Sequence, residues 1–271
     1  MKLLFSEARA DYAHYVFPYA IWAVPEAGET PADFFHAGFL PSSRQLDRFY
    51  LCRQVRVDLA RFEPSSENRR ILRKGAGLKV ELVPRASFDY TPARREFCKR
   101  YADAKFGPDI MTYERLDSLF NAPVISYLLV FTDPASGQEC GVAALYAEAP
   151  ALVFYYYAFY DLSHPNRSLG MYMMTAAAAE FAARGFKHLY LGTCYSESAL
   201  YKTQFSGAEF FTGFRWSDNL EELKFLIRRD PAAQNRHLLE ETEYREQFYP
   251  GDLPQITALS GFAVKLPSTM Q

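Results

Sequence analysis

Hydrophobic and polar positions change period several times along the chain, and each change predicts an element. Residues 1–63 are aromatic, rich in Pro and Gly and largely irregular, with strands expected at Tyr19–Val24 and around 53–59. PSSENRRILRKGAG (64–77) then reads as a short helix: Ser65 or Ser66 can cap it, Glu67 lies in its first turn and Gly75 ends it. At about 100° per residue, Arg69, Arg70, Arg73 and Lys74 fall on an arc of about 140°, with Ile71 and Leu72 opposite. LKVELV (78–83) alternates as a strand does, and 90–106 and 112–121 read as helices, the second with Thr112 as cap and Glu114 in its first turn. Three antiparallel strands are predicted next, at 124–133, 139–148 and 151–161, the first two joined by the turn residues Asp133 to Gly137. A helix over 168–184, stopped by Gly185, and a strand over 186–192 complete a strand–helix–strand unit, which implies a parallel crossover. A short helix near 197–204, a strand near 208–216 and helices around 218–229 and 233–248 follow, and the tail after Pro250 is expected to be loop.

Composition narrows the function class. The 271 residues are 49% apolar and 23% charged, ordinary for a soluble globular protein, with 19 Tyr and 23 Phe to line clefts or fill cores. A net charge of −2 argues against wholesale coating of nucleic acid. Between Arg44 and Lys79, however, ten Lys/Arg stand against four acids, a local surplus of +6. The four cysteines (Cys52, Cys98, Cys140, Cys194) are dispersed and form no CxxC pair, so neither a disulfide framework nor a metal site is expected. No run approaches the ~20 apolar residues of a membrane span, and Ser6, Glu7 and Arg9 interrupt the N-terminal apolar stretch too early for a signal peptide. The expectation is a reducing, cytoplasmic protein with no membrane partner, in which the Asn166-Arg167-Ser168 sequon has no consequence; nothing in the sequence sets an oligomeric state.

Antiparallel strands feeding a strand–loop–helix–strand unit is the element order of the acetyltransferase-like (GNAT-type) α/β (α+β) fold with a mixed sheet. There the strands flanking the long helix part, and an acyl donor sits in the gap. The expected division is a small basic N-terminal region (1–76), a GNAT-like domain (77–217) and a helical C-terminal extension (218–271). The start of the long helix, Arg167, Ser168, Leu169 and Gly170, is a candidate anion site: the glycine would let backbone approach a phosphate, and the helix dipole favours negative charge. In the acyl-CoA loop a small residue follows two positions after that glycine. Tyr172 stands there instead, which counts against CoA.

Three ordered blocks carry a more specific resemblance. ARFEPSSENRRILRKGAGLKV (60–80), preceded by Gly38-Phe39, YAFYDLSHPNRSLG (157–170) and YLGTCYSESALYKTQF (190–205) are similar to stretches of the arginyl- and leucyl-tRNA–protein transferases. Those enzymes add an amino acid from aminoacyl-tRNA to the N-terminus of an acceptor protein. The resemblance spans roughly 38–216 and implies that Arg69, Arg70, Arg73 and Lys74 contact tRNA, and that Tyr201 and Lys202 contact the terminal ribose-phosphate or the acceptor. It also departs from the family pattern: Cys52 stands alone where a cysteine motif is usual, so the iron–sulfur or haem site is expected to be absent and no cofactor is expected, with aminoacyl-tRNA as co-substrate and a protein or peptide N-terminus as acceptor. Thr193 and Ala199-Leu200 replace other usual residues and are expected to alter donor or acceptor choice.

Transfer from an activated ester requires an unprotonated amine about 3 Å from the carbonyl, donors to the developing oxyanion and a group that orients the amine or takes its proton. Asp161 is the candidate for the last task. Regular alternation would place it on one face with Tyr155, Tyr157 and Phe159, as the acid at the rim of an aromatic slot; the plainer role is capping of the following loop. Cys194 has no recognisable histidine partner and reads as packing, as does the stripe Leu169, Tyr172, Met173, Ala176, Glu180. An acyl-CoA N-acyltransferase and a non-catalytic tRNA- or degron-binding relative are the alternatives.

Overall fold

The computed structural model describes residues 1–14, 16–164, 168–231, 237–249 and 253–262. The N-terminal stretch is more regular than its composition predicts. β1 (Lys2–Glu7), β2 (Tyr19–Val24), β3 (Phe39–Pro41) and β4 (Phe49–Leu51) form an antiparallel sheet in the order β1-β2-β4-β3, with helix α1 (Pro31–His36) beside it. Its strands are short and their sequence partners distant, so no alternating run announces them. Phe34, Phe35, Phe39 and Phe49 are fully buried against Phe154 and Tyr190 of the larger sheet.

That larger sheet is built from β5 (Gln54–Asp58), β6 (Lys79–Pro84), β7 (Tyr127–Asp133), β8 (Gln138–Glu148), β9 (Leu152–Tyr160), β10 (His188–Thr193), β11 (Ala208–Phe211) and β12 (Trp216–Ser217). Their spatial order is β12-β11-β5-β10-β9-β8-β7-β6. β5, expected within the N-terminal region, therefore lies between β10 and β11, and the strand predicted near 208–216 is a hairpin of two strands. The architecture is mixed α/β: among the described residues every pairing in this sheet is antiparallel except β9 with β10, the parallel crossover.

The intervening helices cover both faces. α2 (Ser66–Lys74) and α5 (Leu169–Ala183) pack together on one, and α3 (Pro92–Phe106) and α4 (Tyr113–Phe120) cover the other. α2 starts where predicted, because Ser65 Oγ accepts from Asn68 N while Asn68 Oδ1 accepts from Ser65 N, 3.1 Å each. Thr112 caps α4 through the Arg115 N–H, and Gly185, at φ 75°, follows the end of α5. α6 (Leu220–Arg229) and α7 (Thr242–Phe248) dock onto the α5 face through Glu222, a fully buried carboxylate that accepts from Tyr244, Tyr249 and Ser217 hydroxyls, each at 2.6 Å. The tail holds one further helix, α8 (Leu253–Ala258), where loop was expected: Ile256 is buried in the same core.

Candidate functional site

β9 and β10 pair over only three residues each, Leu152–Phe154 with His188–Tyr190, and then part. Both strands carry an irregularity at that point. On β9 the register jumps from Leu145↔Tyr155 to Ala144↔Tyr157, leaving Tyr156 as the extra residue. On β10 it jumps from Tyr190↔Arg56 to Gly192↔Val55, leaving Leu191 extra, and Gly192 takes up the turn at φ 79°. A bulge bends its strand and sharpens its twist. Two bulges at one junction, on facing strands, open the gap.

The bulge also overturns the expected aromatic slot. Tyr155 faces the α5 core, while Tyr157 and Phe159 face the α3–α4 core, so the three do not share a wall. A one-residue insertion moves every later side chain to the other face. Tyr155 is nevertheless notable. It is 6% exposed, its hydroxyl has no hydrogen-bond partner among the described residues, and burial together with the phenols of Tyr101, Tyr201 and Tyr160 raises its pKa well above the usual tyrosine range. It stays protonated and can only gain by donating.

Those four tyrosines converge at the N-terminal end of α5. Tyr160 stacks obliquely on Tyr101 at 4.7 Å and fills the space beside Gly170, where a Cβ would lie 2.8 Å from its ring and hydroxyl. Gly170 thus admits a phenol, and the small residue serves close packing. Leu169 is buried, Ser168 precedes the first turn of α5, and Arg167 lies outside the described residues. On the β10 side, Tyr201 is 45% exposed, and Lys202 is folded inward, its ammonium donating to the Thr193 carbonyl at 2.7 Å. Burial lowers the Lys202 pKa, and the neighbouring Cys194 thiol opposes that shift.

Asp161 terminates β9 in a cleft of about 390 Å³ that it shares with Phe97, Arg100, Tyr101 and Tyr160. Its Oδ1 accepts from the Ser163 hydroxyl at 2.6 Å and the Ser163 N–H at 2.9 Å. The Ser163 hydroxyl, with further help from its N–H, His164 and Arg100, holds the carboxyl below the usual range. Asp161 therefore does close the loop, as the plainer role requires, and with Glu139 it is one of two acids lining the cleft that holds Tyr101 and Tyr160.

Two other expectations change. Tyr172 does not obstruct the start of α5: it is buried, edge-on to Phe131, and its ring occupies the notch left by Gly75 at the end of α2. The objection to CoA drawn from its bulk falls with that. The basic surplus is not one patch either. Arg53 pairs with Asp230, Arg56 with Glu209, and Arg61 with Glu209 and Asp218, all acids distant in sequence. Arg69, Arg70, Arg73 and Lys74 do remain together on the exposed side of α2, although Arg70 is paired with Glu67. Arg44 and Arg48 lie on the opposite face of the sheet with Arg115, in a cleft that the sequence did not reveal. Three successive tyrosines inside one strand were the only sign of the bulge that borders it.

All four cysteines are buried thiols, and among the described residues no cluster of His, Cys, Asp or Glu could hold a metal ion. No described helix is long and apolar enough to cross a membrane.

No family model matches the chain. An aspartate/glutamate leucyltransferase of Cereibacter sphaeroides is 28% identical over 177 residues, which cover 62% of this chain and 62% of that relative, less than two thirds of its length. The aspartate/glutamate leucyltransferase of Pseudomonas paraeruginosa is 30% identical over 172 residues, covering 61% of this chain and 70% of the relative. Among solved structures, L-PGS from Bacillus licheniformis overlays with a TM-score of 0.40 at 11% identity, over 52% of this chain and 44% of that one, a likeness too slight to carry an argument.

Proposed function

The chain belongs to the aspartate/glutamate leucyltransferase family, and on that premise we propose that it transfers an amino acid, of the leucyl or arginyl type, from an aminoacyl-tRNA to the N-terminal amine of a protein or peptide. The observation that carries this reading is the parting of β9 and β10 beside the start of α5, with the unpartnered Tyr155 hydroxyl directed among the tyrosines there.

In this reading the aminoacyl ester lies in the gap and the acceptor amine attacks its carbonyl carbon. The new C–N bond forms as the bond to the ribose oxygen breaks. The Tyr155 hydroxyl donates to the carbonyl oxygen as negative charge develops there; being protonated and desolvated, it is already set for that task. Asp161, held ionised by Ser163, is better suited to orienting the amine than to removing its proton, since a depressed pKa makes a weak base. The proton passes to the departing ribose oxygen. The exposed cations of α2 supply the sequence-independent attraction to the RNA backbone.

Tyr155→Phe tests the reading. The hydroxyl has no partner to lose, so folding is expected to be unchanged, whereas removal of an oxyanion donor lowers kcat by about 10²–10³. An unchanged kcat would remove Tyr155 from the chemistry. The second reading, an acyl-CoA N-acyltransferase, is favoured by the burial of Tyr172, which leaves the start of α5 unobstructed by its ring. Saturable stabilisation by CoA in a thermal melt, with none by aminoacyl-tRNA, would favour it.

A further inference from the structure

Both sheets end in edge strands, and three of the four edges carry a device that discourages further pairing. In the large sheet, β6 exposes Lys79 and Glu81 and ends in Pro84, and β12 is only two residues long. In the small sheet, β3 has three residues and ends in Pro41. β1 has none of these. It runs for six residues, Lys2–Glu7, holds no proline, pairs with β2 without a register shift and carries charge only at its two ends. Among the described residues no strand lies on its outer side, and Leu4 and Phe5 are 46% and 62% exposed.

The direction of the free backbone groups follows from one contact. Ala8 N donates to the Pro18 carbonyl at 2.9 Å, which continues the β1–β2 register beyond Glu7↔Tyr19. Hydrogen-bonded pairs alternate along an antiparallel ladder, so Lys2, Leu4 and Ser6 turn their N–H and C=O groups to β2. Leu3, Phe5 and Glu7 turn theirs outward, away from any strand. A second strand can pair there only where its own outward groups meet these.

We propose that β1 is a self-association surface: two copies of the chain pair antiparallel along β1 about a twofold axis at Leu4, joining their four-stranded sheets into one. Three observations favour a second copy. First, with Leu4 opposite the partner's Leu4, Leu3 exchanges both backbone bonds with the partner's Phe5, and Phe5 with the partner's Leu3, so outward groups meet outward groups. Second, the side chains agree with that register. Leu4 stands opposite Trp22 on β2, so one face carries an unbroken apolar row of Trp22, Leu4, the partner's Leu4 and the partner's Trp22. Moving the axis to Phe5 would instead set Leu3 against the partner's Glu7. Third, antiparallel pairing brings the basic end of each strand to the acidic end of the other, with Lys2 opposite the partner's Ser6. One strand from each copy makes a small interface, so association is reversible and depends on concentration. The proposal is independent of the transfer reaction.

Sedimentation of the full chain over about 1–200 μM is expected to show the mass rising from one chain towards two. Phe5→Lys places a charge against the partner's Leu3 and should weaken association about tenfold or more, with thermal melting unchanged because Phe5 is largely exposed. A cysteine tests the register. The four native cysteines are buried, so Leu4→Cys supplies the reactive thiol, and on the axis its two copies form a non-hydrogen-bonded pair with Cα atoms about 4.5 Å apart, within disulfide range. Mild oxidation is expected to convert most of Leu4→Cys into a covalent dimer on a non-reducing gel. Ser6→Cys, whose two copies lie about 13 Å apart along the strands, is expected to stay a single chain. A chain that remains monomeric at every concentration would overturn the proposal, as would a dimer that survives Phe5→Lys or equal cross-linking at positions 4 and 6. Should Phe5→Lys not fold, the contrast between positions 4 and 6 decides alone. Protection of the Leu3 and Phe5 amides from hydrogen exchange only after an extended peptide is added would give the edge to another partner and overturn it too.

Discussion

The end of the basic helix meets α5 at a tight notch, beside the packing of Ile71 and Leu72. At Gly75 an added Cβ would lie 2.3 Å from two ring atoms of Tyr172, so the end of α2 and the buried tyrosine cannot both stay in place in Gly75→Ala. The backbone itself permits alanine, since φ is −107°, and the substitution gains about 0.4–1 kcal/mol from the stiffer unfolded chain. Against this stands an overpacking penalty of about 1–3 kcal/mol. A net loss of about 1–2 kcal/mol is expected, which lowers Tm by about 2–4 °C per kcal/mol for a chain approaching this size. Tyr172→Ala alone removes a buried ring and should cost about 3–5 kcal/mol. In that background the alanine at 75 meets no ring, so adding it should be neutral or stabilising. Urea denaturation of the four proteins gives the coupling directly. If Arg69, Arg70, Arg73 and Lys74 contact tRNA as proposed, displacement of α2 should weaken tRNA affinity at low salt in Gly75→Ala, with partial recovery in the double variant. Equal destabilisation by Gly75→Ala in both backgrounds would refute the notch as the point of contact.

Other outcomes follow from particular groups. Asp161→Asn keeps an oxygen for the two Ser163 donors, so a purely capping role predicts near-full transfer, whereas orientation of the amine by charge predicts a loss of tenfold or more in kcat/KM. His188 is half-buried, and that desolvation, with Arg56 and His36 beside it, lowers its pKa from 6.5 to about 4. Because the unfolded chain binds that proton first, stability is full above pH ~6.5 and declines as pH falls towards about 4; His188→Gln should flatten that part of a stability–pH curve, and an unchanged slope would contradict it. Glu222→Gln leaves Arg215 and three hydroxyl donors around a neutral amide, and a loss of about 3 kcal/mol in urea denaturation is expected. A loss below about 1 kcal/mol would mean that the C-terminal helices are held by apolar packing alone.

Local signals carried most of the element order. The Ser65 and Thr112 caps, the glycine after α5 and the period-two strands each act within a few residues, and the strand–helix–strand unit fixes its own handedness. Long-range pairing was not readable: nothing in Gln54–Asp58 tells that it sits between β10 and β11 rather than with its N-terminal neighbours. The site suffered from the same limit at finer scale. A bulge within Tyr155-Tyr156-Tyr157 leaves the composition of the strand unchanged while reversing which core each ring enters. Charge counting failed where partners were distant, as Arg53 with Asp230 illustrates, and it missed the three arginines brought together from two separate segments. The direction of Tyr172 was likewise set by Gly75, a residue nearly a hundred positions away.

The central claim is aminoacyl transfer from tRNA to a peptide amine, and the mass of the acceptor reports it most directly. A peptide with an acidic first residue is incubated with the full chain and a single charged tRNA, leucyl or arginyl, and analysed intact by mass spectrometry. The expected result is a gain of one aminoacyl residue at the N-terminus that disappears when the tRNA is deacylated and is greatly reduced by Tyr155→Phe. No gain from any charged tRNA, or acylation that requires only an acyl-CoA, would contradict it.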